Sequence, residues 1–121
     1  MKTIVIALGG NALLQRGETL SAENQYKNIE LMSETINKLA QEYRVVLVHG
    51  NGPQVGLLAL QNLAYQAVPA YPLDILVAES QGMIGYMMMQ KINQNNPTQA
   101  ITTVMTRVSV DINDEAFREP S

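Results

Sequence analysis

Residues 49–56 read His49-Gly50-Asn51-Gly52-Pro53-Gln54-Val55-Gly56 and follow directly on the apolar run Val45-Val46-Leu47-Val48. The apolar run Leu57-Leu58-Ala59-Leu60 comes immediately after them. A short apolar run bounded by turn residues is typical of a buried strand, and Pro is well tolerated at the first position of a helix. The stretch therefore predicts a strand, a tight glycine turn and a helix in immediate succession.

A second turn of similar composition lies near the N-terminus, where the apolar run 4–8 is followed by glycines and an asparagine. Parallel strands end at the same edge of a sheet, where unpaired backbone N–H groups and helix N-termini favour an anion. Glycine lets the backbone approach a ligand closely and adopt positive φ, and Asn adds amide donors. We therefore predict one anion site built from both turns, with these residues: Gly9, Gly10, Asn11, Gly50, Asn51 and Gly52.

Other phosphate-binding motifs do not fit these turns. A P-loop requires Gly-Lys-Ser/Thr, and neither turn contains Lys. The fingerprint G-x-G-x-x-G is missed by one residue, because Gly50, Gly52 and Gly56 are spaced G-x-G-x-x-x-G. The alternative that both turns are only tight connections stays open. His49 also has two interpretations: an acid/base group, or, as we favour, a side chain that orients the turn by hydrogen bonding.

The remaining pattern predicts an α/β sandwich with a mostly parallel sheet in the order β-α-β-α-α-β. The first two strands are expected to be buried on both faces, because their apolar runs do not alternate. A sheet of so few strands is thin for this class, so the chain resembles the first part of something larger. The predicted strands are 3–8, 45–48 and 100–110, the last as one strand or as two joined by a bend. The predicted helices begin at Ser21 and extend over 53–66 and 73–93.

Composition narrows the class of protein. The chain has 121 residues, 46% of them hydrophobic, a net charge of −3 and no cysteine. A net negative charge without a Lys/Arg cluster argues against nucleic acid or an anionic membrane as the main partner. The apolar region 73–89 is interrupted by Asp74 and Glu79, so we expect no membrane span. The absence of cysteine fits a reducing cytoplasm, and no set of metal ligands is recognisable.

The third predicted helix carries two glycines, Gly82 and Gly85, three residues apart. Each costs about 1 kcal/mol relative to Ala, so a close contact should offset them. With Tyr86 and the methionines that follow, this face is a candidate dimer interface. Packing inside the chain is an equally good alternative.

Five stretches along the whole chain form one recognisable set: Val5-Ile6-Ala7-Leu8-Gly9-Gly10-Asn11-Ala12-Leu13, His49 to Gly56 as quoted above, Pro72-Leu73-Asp74, Ser80-Gln81-Gly82-Met83-Ile84-Gly85-Tyr86 and Asp114-Glu115-Ala116-Phe117. Together and in this order they resemble one known family, carbamate kinase. The resemblance implies the amino-acid kinase superfamily, a three-layer α/β/α sandwich, a homodimer, and reversible phosphoryl transfer between ATP and carbamate with Mg²⁺, giving carbamoyl phosphate and ADP.

The resemblance also assigns roles. The turn at Gly9 would face the transferred phosphoryl group, and the turn at Gly50 would hold carbamate and the same phosphoryl oxygens. Much of the superfamily has a phosphate-binding lysine where this chain has Ala7, and family members are considerably longer. Residues 1–121 are thus expected to form the N-terminal, carbamate- and phosphoryl-binding part, with the ATP-binding C-terminal lobe and its nucleotide site absent.

Two expectations follow about behaviour. No catalytic residue is assigned, and we expect no detectable activity from this chain alone, because phosphoryl transfer relies on cations that neither turn contains. The alternative function is a truncated, non-catalytic remnant that binds a small anion or dimerises. An incomplete sheet should also expose apolar surface and bind the dye ANS or self-associate.

Overall fold

The computed structural model describes residues 1–121. The chain contains two strands and three α-helices in the order β-α-β-α-α. Single 3₁₀ turns lie at Gly10–Ala12 and Glu115–Phe117. None of the helices combines the length and apolarity that crossing a membrane would require. The elements are β1 (Lys2–Leu8), α1 (Ala22–Ala40), β2 (Tyr43–His49), α2 (Gly52–Ala64) and α3 (Leu73–Asn95).

The two strands form a parallel sheet. Their register runs from Lys2 opposite Tyr43 to Leu8 opposite His49. A parallel pair needs a crossover connection, which α1 supplies, so the chain begins with a βαβ unit. The predicted α/β class with a parallel sheet is confirmed.

The first helix begins where its sequence predicts. The Oγ of Ser21 accepts a hydrogen bond from the N–H of Asn24 at 3.1 Å, and Glu23 lies in the first turn, where a carboxylate suits the helix dipole. The helix ends at Ala40, and β2 begins at Tyr43. The other two helices differ from prediction by two residues or fewer at each end, as is usual for helix boundaries.

The hydrophobic core lies on one side of the sheet. Side chains from α1 and α3 interdigitate there, and Leu8, Val45 and Leu47 of the strands pack against them. The sheet and this helical layer are thus held together by apolar burial. The buried members of the core are Leu13, Ile29, Ile36, Ile84, Met87, Met88 and Ile92.

The opposite face of the sheet is exposed, so the expectation that both strands are buried on both faces is wrong for this chain. Exposure alternates along each strand, and Val5, Val46 and Val48 are 64%, 42% and 51% exposed. The physical reason is that α1 and α3 both pack on the same face, and no element of the chain covers the other. The chain holds two of the three layers of an α/β/α sandwich.

The predicted strand over 100–110 is also wrong. The segment has no regular secondary structure and belongs to no sheet. It runs over α3, where Oγ1 of Thr103 donates to Sδ of Met89 at 3.0 Å and the N–H of Thr106 donates to Oε1 of Gln81 at 2.9 Å. Its β-branched composition favours an extended backbone, but a strand also requires a hydrogen-bonded neighbour, and β2 pairs only with β1.

Candidate anion-binding site

The strand register brings the two glycine turns together. Because Leu8 lies opposite His49, the turns that begin at Gly9 and Gly50 leave the sheet side by side at the same edge. Neighbouring strands are about 4.8 Å apart, so a ligand of a few atoms can reach both turns at once. The register therefore brings together the starts of the two turns that contain the predicted site residues: Gly9, Gly10, Asn11, Gly50, Asn51 and Gly52.

Backbone N–H groups at this edge are free to bind an anion. Asn51 occupies the N-cap position of α2 without capping it, and Pro53 has no N–H to offer. The N–H groups of Gly52 and Gln54 therefore have no acceptor in the chain, and the same holds for Gly10 and Asn11 in the first turn. Free donors at a helix N-terminus favour a negatively charged ligand.

The glycines of the site contribute space and not unusual dihedral angles, which corrects the expectation of positive φ. The only residue with positive φ is Gly17, at 85° in the loop before α1. At Gly10 and Gly52, an added Cβ would meet no atom within 4 Å. The open space beside the backbone is where a ligand could lie against the N–H groups.

Asn51 is held by a buried serine of α3. Its Nδ2 donates to Oγ of Ser80 at 2.7 Å, and that hydroxyl donates to the carbonyl of Val77, also at 2.7 Å. Because the single hydroxyl hydrogen of Ser80 is used at Val77, only an N–H of Asn51 can pair with its oxygen. The Oδ1 of Asn51 is left without a partner, so the side chain presents a free acceptor beside the backbone donors.

His49 orients the second turn. Its Nδ1 lies 2.9 Å from the carbonyl oxygen of Gly50. A carbonyl can only accept, so Nδ1 carries the hydrogen of this contact. This contact supports the interpretation that the side chain positions the turn.

The loop after the first turn is fixed by Asn28 of α1. Its Nδ2 donates to the carbonyl of Leu13 at 3.1 Å and to Oε2 of Glu18 at 2.7 Å, and the same carboxylate oxygen accepts from the N–H of Gln15 at 3.0 Å. These hydrogen bonds, that from Asn28 above all, hold the pKa of Glu18 below its ordinary value of 4.5.

The site offers hydrogen-bond donors for an anion but brings no cation of its own. Neither turn contains Lys or Arg. No group of three or more His, Cys, Asp and Glu side chains is placed to hold a metal ion. The arrangement therefore offers backbone dipoles and one side-chain amide.

Comparison with known proteins agrees with this geometry. The profile described as the amino acid kinase family matches residues 2–121. The chain belongs to the amino acid kinase family. It is 61% identical over 120 residues to a carbamate kinase of Escherichia coli strain K12, and 55% identical over 119 residues to one of Haemophilus influenzae. The predicted resemblance to carbamate kinase is confirmed.

A solved structure supports the same family fold. A carbamate kinase from Giardia lamblia bound to AMP-PNP superposes with a TM-score of 0.91 at 45% identity and covers 99% of this chain. The Escherichia coli and Haemophilus influenzae relatives cover 99% and 98% of it. This member of the amino acid kinase family spans only 40%, 40% and 38% of the Giardia, Escherichia coli and Haemophilus proteins, respectively.

The candidate interface residues of this family member have different surroundings. Gly85 is buried under Thr103 of the same chain, so internal packing accounts for this glycine. Gly82 is exposed with nothing near it, and Tyr86 is 60% exposed. These two residues stay candidates for a contact with a second subunit.

Sequence reasoning missed a buried polar pair beneath the site. Nε2 of Gln54 donates to Oε1 of Gln25 at 3.1 Å, and the two residues are 1% and 3% exposed. The bond ties the first turn of α2 to the first turn of α1. Gln54 and Ser80 both lie in stretches that resemble the family, and this membership could have marked them as important. No sequence signal marks Gln25, because apolar periodicity does not detect a buried amide.

Proposed function

We propose that this chain forms the carbamate- and phosphoryl-binding part of a carbamate kinase. That enzyme transfers a phosphoryl group reversibly between ATP and carbamate and so gives carbamoyl phosphate and ADP. The observation that carries the proposal is the pair of glycine turns in register, with free N–H donors from both facing one edge of the sheet. Similarity to carbamate kinases over nearly the whole chain supports it.

The proposed roles follow from the chemistry of the substrate. Carbamate carries a carboxylate, which needs donors, and an amino group, which needs an acceptor. In the second turn, the N–H of Gly52 can meet the carboxylate and the free Oδ1 of Asn51 can accept from the amino group. The first turn, with Gly10 and Asn11, would face the oxygens of the transferred phosphoryl group.

The nucleotide and Mg²⁺ require other residues. We propose that ATP or ADP binds with Mg²⁺ outside residues 1–121, in the lobe that the resemblance implies, because the residues present do not fit either group. No acidic cluster could ligate a metal ion, and neither turn can neutralise a phosphate with Lys or Arg. Residues 1–121 would then be the N-terminal part of the domain, acting in the cytoplasm as a homodimer with Gly82 and Tyr86 near the subunit contact.

A binding experiment tests the site. Residue-resolved ¹⁵N NMR during titration with carbamoyl phosphate is expected to shift the amides of Gly10, Asn11 and Gly52. Asn51→Asp should weaken binding at least tenfold, about 1.4 kcal/mol, because it places a negative charge beside the anion. Asp is a good N-cap residue, so loss of the helix would not explain the effect.

The matched control is Asn113→Asp. It makes the same charge change at an exposed residue whose side chain has no hydrogen bond. Binding by this variant should equal that of the wild type. Shifts that avoid both turns, or equal weakening by the two variants, would count against the proposed site.

An activity measurement tests the proposed division of roles; the non-catalytic alternative, in which the chain only binds a small anion or dimerises, predicts the same lack of activity. We expect the purified chain to form no detectable ATP from ADP and carbamoyl phosphate, since it lacks charge neutralisation. Turnover that Asn51→Asp abolishes would show that this chain is active alone and contradict the division of roles proposed above.

A further inference from the structure

Asn51 and Gly52 form an Asn-Gly pair at the start of α2. The chain contains ten asparagines, and only Asn51 is followed by glycine. In such a pair the backbone nitrogen of the glycine can attack the side-chain amide carbon of the asparagine, because glycine has no Cβ to obstruct the approach. The sequence therefore marks Asn51 as the asparagine of this chain most prone to deamidation.

Deamidation at this pair needs only water as a co-reactant. The nitrogen of Gly52 bonds to Cγ of Asn51, the bond from Cγ to Nδ2 breaks, and ammonia leaves with the hydrogen of the Gly52 N–H. The product is a cyclic imide. Water then opens the imide at Cγ to give Asp, or at the backbone carbonyl carbon to give isoaspartate, in which the chain continues through Cγ.

The attacking nitrogen is available in the folded chain. Gly52 is exposed, and its N–H has no acceptor in the chain. The nitrogen must give up its hydrogen to attack, and the negative charge that develops lies at the N-terminus of α2, where the helix dipole favours it. No hydrogen bond to this N–H has to break first, so the fold leaves the attacking atom unprotected.

The backbone of Asn51 opposes the reaction. Its ψ is 15°, which places the nitrogen of Gly52 beside the nitrogen of Asn51 and away from Cβ and Cγ. Ring closure requires the peptide between the two residues to rotate toward Cγ. The carbonyl oxygen of that peptide accepts from the N–H of Val55 at 2.9 Å, and the rotation would break this hydrogen bond.

The side chain of Asn51 is held as well. Its Nδ2 donates to Oγ of Ser80 at 2.7 Å, and Ser80 is 0% exposed. This bond holds the amide toward α3 and keeps Cγ from moving toward the nitrogen of Gly52. Two hydrogen bonds, one on the peptide and one on the side chain, thus hold the reacting atoms apart.

We propose that Asn51 is a deamidation site, which the fold restrains through the N–H of Val55 and the hydroxyl of Ser80. Conversion places a negative charge in the second turn, and isoaspartate also inserts Cβ into the backbone there. Where the turn binds an anion as proposed above, conversion ends that binding, but the modification itself does not depend on the proposed function. Ser80 therefore preserves Asn51 chemically in addition to orienting it.

Peptide mapping by mass spectrometry tests the proposal. The purified chain is incubated in mildly alkaline buffer, with and without urea, and the rate of conversion of each asparagine is measured. In urea, Asn51 is expected to convert before every other asparagine, and Gly52→Ala should slow this conversion because a Cβ then obstructs the attack. In the folded chain, Asn51 should convert about thirtyfold more slowly, since two hydrogen bonds must break.

Two buried serines give a matched pair of variants. Ser80→Ala removes one restraint and should speed conversion of Asn51 in the folded chain about fivefold. Ser33 is equally buried but lies on α1, so Ser33→Ala should leave the rate unchanged. Asn113 is exposed, its side chain has no hydrogen bond, and it should convert at one rate in the wild type and both variants.

Three results would overturn the proposal. The first is conversion of Asn51 at the same rate in the folded chain and in urea. The second is that Ser80→Ala accelerates conversion no more than Ser33→Ala does. The third is that another asparagine converts faster than Asn51 in urea.

Discussion

Two glycines of α3 lie three residues apart in opposite surroundings, and replacing each with Ala isolates the effect of one contact. A Cβ at Gly85 would lie 2.7 Å from Oγ1 of Thr103 and closer still to its Cγ2, whereas a Cβ at Gly82 would meet nothing within 4 Å. Both variants gain helix propensity, about 1 kcal/mol each. Only Gly85→Ala also forces an overlap.

The overlap decides the sign at Gly85. Overpacking costs about 1–3 kcal/mol. Rotation of the Thr103 side chain alone does not relieve the overlap, because its Cβ would itself be 3.0 Å from the new methyl, so the segment must shift and strain the bond from Oγ1 to Met89. Gly82→Ala should therefore raise the free energy of unfolding by about 1 kcal/mol, while Gly85→Ala leaves it unchanged or lowers it by up to about 2.

Urea denaturation followed by far-UV circular dichroism measures both free energies of unfolding. A double-mutant cycle adds Thr103→Ala, which removes the two atoms nearest to the new methyl. We expect Gly85→Ala to be less destabilising in that background by about 1 kcal/mol. Equal stabilisation by Gly82→Ala and Gly85→Ala, or no coupling to Thr103, would refute the reasoning.

Three further predictions concern the site and its surroundings. Ser80→Ala should weaken carbamoyl phosphate binding in the NMR titration by about 1 kcal/mol, or fivefold, because Asn51 loses the acceptor that orients it. Hydrogen exchange at the Gln15 amide, relative to its intrinsic rate, should become faster as the pH falls below 4.5. Protonation of the Glu18 carboxylate weakens the hydrogen bond that it accepts from this amide. Glu18→Gln should remove this pH dependence. The chain should also bind ANS through its exposed sheet face, and Val5→Lys should reduce the fluorescence.

Each of these has a control or a contradicting outcome. Ser33 is as buried as Ser80 but lies on α1 away from the turns, so Ser33→Ala should leave binding unchanged. Because the pKa of Glu18 is lowered by folding, the ionised carboxylate stabilises the folded chain above the unfolded-state pKa. This contribution to stability is lost as the pH falls through the folded-state pKa. Exchange at the Gln15 amide that becomes faster relative to the intrinsic rate as the pH is raised through this range would contradict the prediction. A monomer that does not enhance ANS fluorescence would contradict the third.

What the sequence predicts correctly is local. The cap at Ser21, the helix start at Gly52 after a glycine turn, and the apolar runs of both strands each depend on neighbours within a few residues. The two turns could be placed side by side because parallel strands that are connected by one helix end at the same edge. The spacing of the glycines predicts only an anion site, and the resemblance to the family is what indicates carbamate and phosphoryl transfer.

The features that sequence reasoning missed depend on contacts distant along the chain. Residues 100–110 have strand composition, but no hydrogen-bonded neighbour makes them a strand. The partner of Gln54 is Gln25, and that of Asn51 is Ser80, each 29 residues away. Buried amides that pair with one another do not produce a periodic pattern in the sequence. The second face of the strands is exposed because the helices cover only the first, which the strand sequences alone do not indicate.

The register of β1 against β2 has a consequence for how this protein can vary. Slipping the pair by one residue would move one turn about 3.3 Å along the other and turn every side chain of that strand to the opposite face. By contrast, the short connection at Gln41 can gain or lose residues while Leu8 still meets His49. Changes in chain length are therefore tolerated between the strands and forbidden within them.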